Sequence, residues 1–187
     1  MTAATLSARR DLARELFPPL AFAPDDSLFL LADQSIGFGF CGRPAAGSDG
    51  VANGLNVLLN LDWPAGTCLQ FCLWASPDLE AVLAGYQALR THCQAATRRA
   101  HVEQRVRFIR GGTAQPLEPR SGLRARHIQL VITAKLPLAG AEPTAMELGR
   151  AGELRTAAAP CLQTAGLAPV PLDPEGWLRI MGSLLNW

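Results

Sequence analysis

The sequence predicts an α+β fold: one mixed, mainly antiparallel sheet, made of a hairpin and three further strands and covered by helices. Three observations carry this. Leu28–Leu31 and Ile36–Phe40 are short apolar runs joined by the turn Asp33-Gln34-Ser35, which reads as a β-hairpin. Helical periodicity then alternates with strand-like runs along the rest of the chain. Proline within Leu167–Leu172 (Pro169, Pro171) marks a short edge strand rather than a buried parallel one.

The elements follow in chain order. Leu6, Leu12, Ala13 and Leu16 recur near helical spacing and predict a helix over 5–16, ended by Pro18-Pro19. Asp25-Asp26-Ser27 is a turn before the hairpin, so residues 1–26 read as a helix and linker and 27–187 as a single α+β domain. Ser48-Asp49 offers a cap for an amphipathic helix over 49–61, with Val51, Leu55, Leu58 and Leu59 on its apolar face. Thr67–Ala75 is rich in strand formers and, being almost uninterruptedly apolar, reads as a central strand. Ser76-Pro77-Asp78 has the residues of a helix start, with Ser as cap and Pro in the first turn, and Leu79, Val82, Leu83, Tyr86 and Leu89 continue it. An Arg-rich helix over 92–109 ends at Gly111-Gly112, and 113–122 is loop. His127–Ala134 lies in a strand over 124–136, and a helix over 144–159 is interrupted or kinked by Pro160. Asp173-Pro174-Glu175 starts a last helix bearing Trp177, Leu178, Ile180, Met181, Leu184 and Leu185.

Composition narrows the function. The chain has 187 residues, 49% of them apolar and 18% charged, too apolar for a disordered chain. A net charge of +1 argues against strong global steering toward nucleic acid or an anionic membrane. Of 17 basic residues only Lys135 is a lysine, flanked by Ala134 and Leu136, so this chain has no Gly-Lys-Ser/Thr phosphate loop. A Schiff-base lysine would have to be this residue, which has no acidic neighbour in sequence. The five cysteines, Cys41, Cys68, Cys72, Cys93 and Cys161, have no zinc spacing and read as small buried hydrophobes in a reducing compartment. There is no secretory signal pattern and no run long enough to span a bilayer, which predicts a cytoplasmic protein.

Gly37-Phe38-Gly39-Phe40-Cys41-Gly42 spells G-x-G-x-x-G, but inside a strand pattern and without a following helix. The fingerprint works at a strand-to-helix turn, so these glycines read as room for a neighbour rather than a nucleotide site. His92, His101 and His127 are scattered without a paired carboxylate, and no nucleophile signature is present. No catalytic, cofactor-binding or metal residue is assigned. One compositional shift remains. Between 90 and 126, nine arginines face only Glu103 and Glu118, and Phe108 is the one aromatic. Arg98, Arg99, Arg105, Arg107 and Arg110 are candidate partner contacts, since arginine is favoured at protein interfaces. The alternative is a small standalone nucleic-acid-binding protein using the same segment.

The order of motifs resembles the N-terminal domain of the TraC-like branch of conjugative type IV secretion ATPases. The resemblance rests on Leu30–Gly42 (LLADQSIGFGFCG), on Asp62-Trp63-Pro64-Ala65-Gly66-Thr67, on the strand Cys68–Trp74 leading to a helix with Tyr86, on Arg126–Ile132, and on the closing Leu184-Leu185-Asn186-Trp187. It covers roughly residues 28–187 and implies what composition does not. In such proteins the N-terminal domain is non-catalytic, contacts inner-membrane and channel components, and helps set the oligomer. ATP and Mg belong to a C-terminal motor domain with Walker motifs, and the ATPase energises pilus biogenesis and DNA transfer. The chain is then an excised N-terminal domain with no enzymatic activity and no cofactor of its own. Its partners are channel proteins, the motor domain and possible further copies, and it is peripheral at the inner membrane through them. Trp177 and Trp187, on the last helix, join the candidate contacts as residues that would pack on the motor domain.

Overall fold

A computed structural model describes residues 18–44, 49–91 and 96–185. The fold is α+β. Its strands are β1 (Pro19–Ala23), β2 (Leu28–Leu31), β3 (Ser35–Gly42), β4 (Cys68–Ser76), β5 (His127–Pro137) and β6 (Val170–Pro171). The helices are α1 (Asp49–Leu59), α2 (Glu80–Ala88), α3 (Ala96–Ala114), α4 (Ala145–Thr164) and α5 (Pro174–Leu185). The sheet is open and mostly antiparallel, in the order β1-β2-β3-β5-β4, with β6 added on β3. The helix expected over 5–16 and the Ser48 cap lie outside the described residues, as do His92, Cys93 and Trp187.

Two compact units can be distinguished. The first comprises the chain up to Cys72 together with Leu130–Leu178. Its core is one face of the central strands: Ile36, Phe38 and Phe40 from β3 and Ile132, Ala134 and Leu136 from β5. Strand period 2 puts these residues on the same side, and full register from Ser35↔Pro137 to Gly42↔Leu130 keeps them opposite one another. Leu58 of α1 and Ala151, Leu154, Ala158, Cys161 and Leu162 of α4 close over that face. Each large side chain so buried contributes about 1.5–3 kcal/mol. The two helices approach closely because Gly54 has no side chain. A Cβ there would stand 2.6 Å from Ala165 Cβ and 2.7 Å from Cys161 O. The Asp62–Thr67 turn is fastened to this core: Trp63 stacks on Phe38 with centroids 6.3 Å apart, and its Nε1 donates to Leu58 O at 2.9 Å. Arg150 of α4 donates to Asp62 O at 2.7 Å and also to the Asp62 carboxylate.

The second unit comprises Leu73–Gln129 and Arg179–Trp187. Its core is small: Leu79, Leu83 and Val106, with Tyr86, Ile109 and Ala125 against them. Trp74 Nε1 donates to Ser183 Oγ at 3.2 Å, and Ser76 Oγ lies 3.0 Å from the same hydroxyl.

Several elements differ from the sequence expectations, each for a physical reason. Residues 19–23, read as linker, form β1 and pair with β2 from Pro19↔Leu31 to Ala23↔Leu28. Proline is tolerated there because β1 is an edge. Thr67–Ala75, read as central, is β4 at the other edge. Its continuous apolar run does not reflect burial, since Phe71 is 42% and Leu73 64% exposed. Ser76 ends β4 instead of capping a helix. Its Oγ accepts from Asp78 N at 3.1 Å, and Asp78 Oδ1 accepts from Glu80 N at 3.0 Å, so the helix begins at Glu80. The Arg-rich helix runs through Gly111-Gly112 to Ala114. Gly112 is buried there, because a Cβ would meet Leu117 Cδ2 at 2.3 Å. Pro160 does not end α4, which continues to Thr164 with Cys161 and Leu162 still buried. Packing on both sides of the proline outweighs the one backbone bond it removes. Leu59, expected on the apolar face, is 58% exposed, and Cys68, expected buried, is exposed.

Candidate partner-contact surface

α3 is a surface helix with almost no buried face: of its residues only Val106 and Gly112 are buried. Such a helix is held by few contacts, and most of its side chains meet solvent. At about 100° per residue its arginines do not form one stripe. Arg98 and Arg105 share one side, Arg99 and Arg110 another, and Arg107 lies about half a turn from Arg98.

Several arginines of the basic stretch are occupied within the second unit. Arg110 grips Glu80 of α2 with two bonds, Nε to Oε1 and Nη2 to Oε2, each 2.7 Å. That bond holds the Glu80 carboxyl below its usual range and the Arg110 guanidinium above its own. Arg126 Nη1 donates to Thr113 O and Ala125 O at 2.9 and 2.8 Å, which ties the loop to the end of α3. The Arg90 guanidinium lies 3.8 Å from the centre of the Tyr86 ring. Arg98, Arg99, Arg105 and Arg107 are exposed.

One concavity lies along this surface. It has a volume of about 480 Å3 and is lined by Tyr86, His101, Val102, Gln104, Arg105 and Phe108. Phe108 is 59% exposed at its edge. The sequence shows Phe108 as the one aromatic of the basic stretch and puts Tyr86 on the preceding helix, without bringing the two together. The α2–α3 packing brings Tyr86 to the same hollow, and no local signal in the sequence announces it.

The other candidate contact residues sit elsewhere. Trp177 is half-buried in the first unit and lines a cavity of about 280 Å3 with Phe29, Leu31, Gly37, Lys135 and Leu172. Ile180 of α5 is 8% exposed, so this helix already has an inward face, while Leu178 is 59% exposed. Trp187 lies outside the described residues.

The motifs weighed for chemistry resolve into structure. Gly37 and Gly39 lie mid-strand in β3, and Leu172 Cδ2 would stand 3.0 Å from a Cβ at Gly39. Lys135 does have an acidic neighbour: its Nζ donates to Asp33 Oδ2 at 2.7 Å. The β3–β5 register brings the turn beside β5, a proximity sequence adjacency could not show. The bond to Asp33 raises the Lys135 pKa, which keeps the ammonium protonated and unsuited to nucleophilic attack. His127 is half-buried with Nδ1 3.0 Å from Gln129 Nε2. Among the described residues no group of three or more His, Cys, Asp or Glu could hold a metal ion. No helix among them is long and apolar enough to cross a membrane.

A family model described as TraC protein matches residues 13–187. The chain belongs to the TraC protein family. That membership places it in conjugative transfer. No curated protein and no solved structure matches the chain. The TraC match spans both units, including α3 and its concavity. The Asp62–Thr67 motif, part of the TraC-like resemblance, is fastened to the core here: Arg150 donates to Asp62 O and Trp63 donates to Leu58 O.

Proposed function

We propose that this chain is a non-catalytic interaction and assembly domain, belonging to the N-terminal part of a conjugative type IV secretion ATPase. It docks partner proteins at the cytoplasmic face of the inner membrane, and ATP and Mg are used by a separate C-terminal motor domain. The observation that carries this reading is α3. A helix of 19 residues with two buried positions has a surplus of surface for contact, and it presents Arg105 and Phe108 beside a Tyr86-lined hollow. Aromatic residues and arginine are the side chains enriched at protein interfaces.

The divergent arginines favour a protein over nucleic acid. A phosphate backbone is tracked by cations along one line, whereas Arg98, Arg107 and Arg99 point to different sides and Arg110 is neutralised by Glu80. Co-purification with the inner-membrane proteins of the same conjugation apparatus tests the proposal. Wild-type chain should retain a channel protein that the double variant Arg105→Glu, Phe108→Ala loses. Salt-dependent DNA binding by the wild type, lost in the same variant, would replace this reading with the nucleic-acid one. The ATPase parent is tested separately. An open frame running past codon 187 into a Gly-Lys-Ser/Thr loop supports it, and a stop codon there refutes it.

A further inference from the structure

We infer that the partner docked on α3 presents an acidic amphipathic helix, an inference that rests on the docking role proposed above for the same surface. Its carboxylates meet Arg98 and Arg105, and an apolar side chain enters the hollow between Tyr86 and Phe108. Charge is divided unequally between the two units. The first carries seven basic and twelve acidic side chains, a formal charge of −5, and the second carries ten arginines against four carboxylates, +6. The chain total of +1 is the sum of these and conceals both. A surface that concentrates one sign attracts the opposite sign and disfavours a partner of its own.

The four carboxylates of the second unit leave this face unneutralised. Glu80 is held by Arg110. Asp78 accepts from Glu80 N at the start of α2. Glu103, the one carboxylate on α3, lies about 140° round the helix from Arg98 and about 160° from Arg105. Glu118 lies past the end of α3. No carboxylate among the described residues forms an ion pair with Arg98 or Arg105. The first turn of α3 has no acidic residue, and Arg98 and Arg99 stand close to it, at the end where the helix dipole favours an anion. An acidic partner relieves that repulsion.

Spacing selects the shape of the partner. Arg98, His101, Arg105 and Phe108 follow at intervals of three, four and three residues, which on a helix is one stripe, and all four are exposed. Tyr86 of α2 walls the hollow on the other side, with the Arg90 guanidinium 3.8 Å from the centre of its ring. Five of the six lining residues come from α3, so the hollow is a trough along that helix. An amphipathic helix lies in such a trough through side chains at i, i+3, i+4 and i+7. Arg98 and Arg105 are about 10.5 Å apart along the axis. A partner helix matches them with two carboxylates seven residues apart, and sets an apolar side chain beside the second, against Val102, Tyr86 and Phe108.

The test lets the full chain choose its partner from a phage-displayed library of helices randomised on one face. Enriched sequences should carry Asp or Glu at two positions seven residues apart, with a large apolar residue within a turn of the second. A labelled peptide of that sequence should bind more weakly as salt rises. Arg98→Glu combined with Arg105→Glu should weaken it by about tenfold or more. The same double variant should bind the version whose two carboxylates are replaced by lysine, which also shows that the variant is folded. Arg107→Glu, about half a turn from Arg98, should leave binding of the acidic peptide unchanged. Enrichment without acidic side chains, or an acidic peptide whose binding survives the double reversal, would overturn the inference. Neutral or basic helices whose binding is lost in Phe108→Ala would leave α3 a docking surface and remove the acidic partner alone. A library with no enriched helix, together with binding of single-stranded DNA, would remove both.

Discussion

Gly54 is the residue whose replacement is most sharply constrained. Its Cβ position lies 2.7 Å from the Ala165 N and Cys161 O backbone atoms, which have no flexible end to swing aside. Gly54→Ala therefore forces α1 off α4 and should cost about 1–3 kcal/mol in urea unfolding. Gly50, where the nearest atom to a Cβ is 3.9 Å away, serves as the control and should tolerate alanine. Asp33 offers a smaller and pH-dependent effect. Hydrogen bonds from Lys135 and Ser35 lower its carboxyl below 3.8. A carboxyl depressed in the folded state stabilises above its unfolded pKa and loses that contribution as pH falls through the folded value. The pair is half-exposed, so Asp33→Asn should cost about 0.2–1 kcal/mol at neutral pH, with the difference from wild type closing below about pH 3.8. Neither effect is visible to sequence reading in full. The glycine shows no local pattern that distinguishes close helix packing from a turn. Asp33 and Lys135 are far apart in the chain and meet only through the strand register.

At the scale of elements, α4 begins with a capping box. Thr144 Oγ1 accepts from Glu147 N at 3.2 Å, and Glu147 Oε2 accepts from Thr144 N at 2.8 Å. Thr144→Ala should lower stability by about 0.5–2 kcal/mol. The Thr144 hydroxyl and the backbone N–H groups of Ala139 and Thr144 hold the Glu147 carboxyl below 4.5. Its contribution is thus present above 4.5 and lost as pH falls below it, so the gap between wild type and Thr144→Ala should narrow in acid. The hairpin, α1, β5 and α5 were legible because turn residues and hydrophobic period agree there with tertiary packing. β1 was not, because Pro18-Pro19 read as punctuation, although proline is compatible with an edge strand. β4 misled in the opposite direction. An apolar run signals strand well but cannot tell a covered position from an edge, and Phe71 and Leu73 are exposed. α3 outran its double glycine because tertiary contact with Leu117 requires the bare backbone of Gly112.

At the scale of the whole molecule, the sequence carried the TraC-like resemblance in the order of its motifs, and the family match over 13–187 agrees with it. The proposed contact surface was only half legible. Arginine density drew attention to 98–110, yet Arg110 serves Glu80 and Trp177 serves a cavity wall region in the first unit. The structure adds Tyr86, which lines the same hollow as Arg105 and Phe108 and gives the proposed docking group an aromatic anchor. The central claim is that this surface acts in conjugation by binding protein. Its most direct measurement is transfer frequency from donor cells in which the chain's gene carries Arg105→Glu and Phe108→Ala, with protein level and circular dichroism matched to wild type. Loss of a contact worth about 1.4 kcal/mol or more weakens docking by about tenfold, and transfer should fall at least in that proportion. Wild-type transfer frequency from a folded, normally abundant double variant would contradict the account.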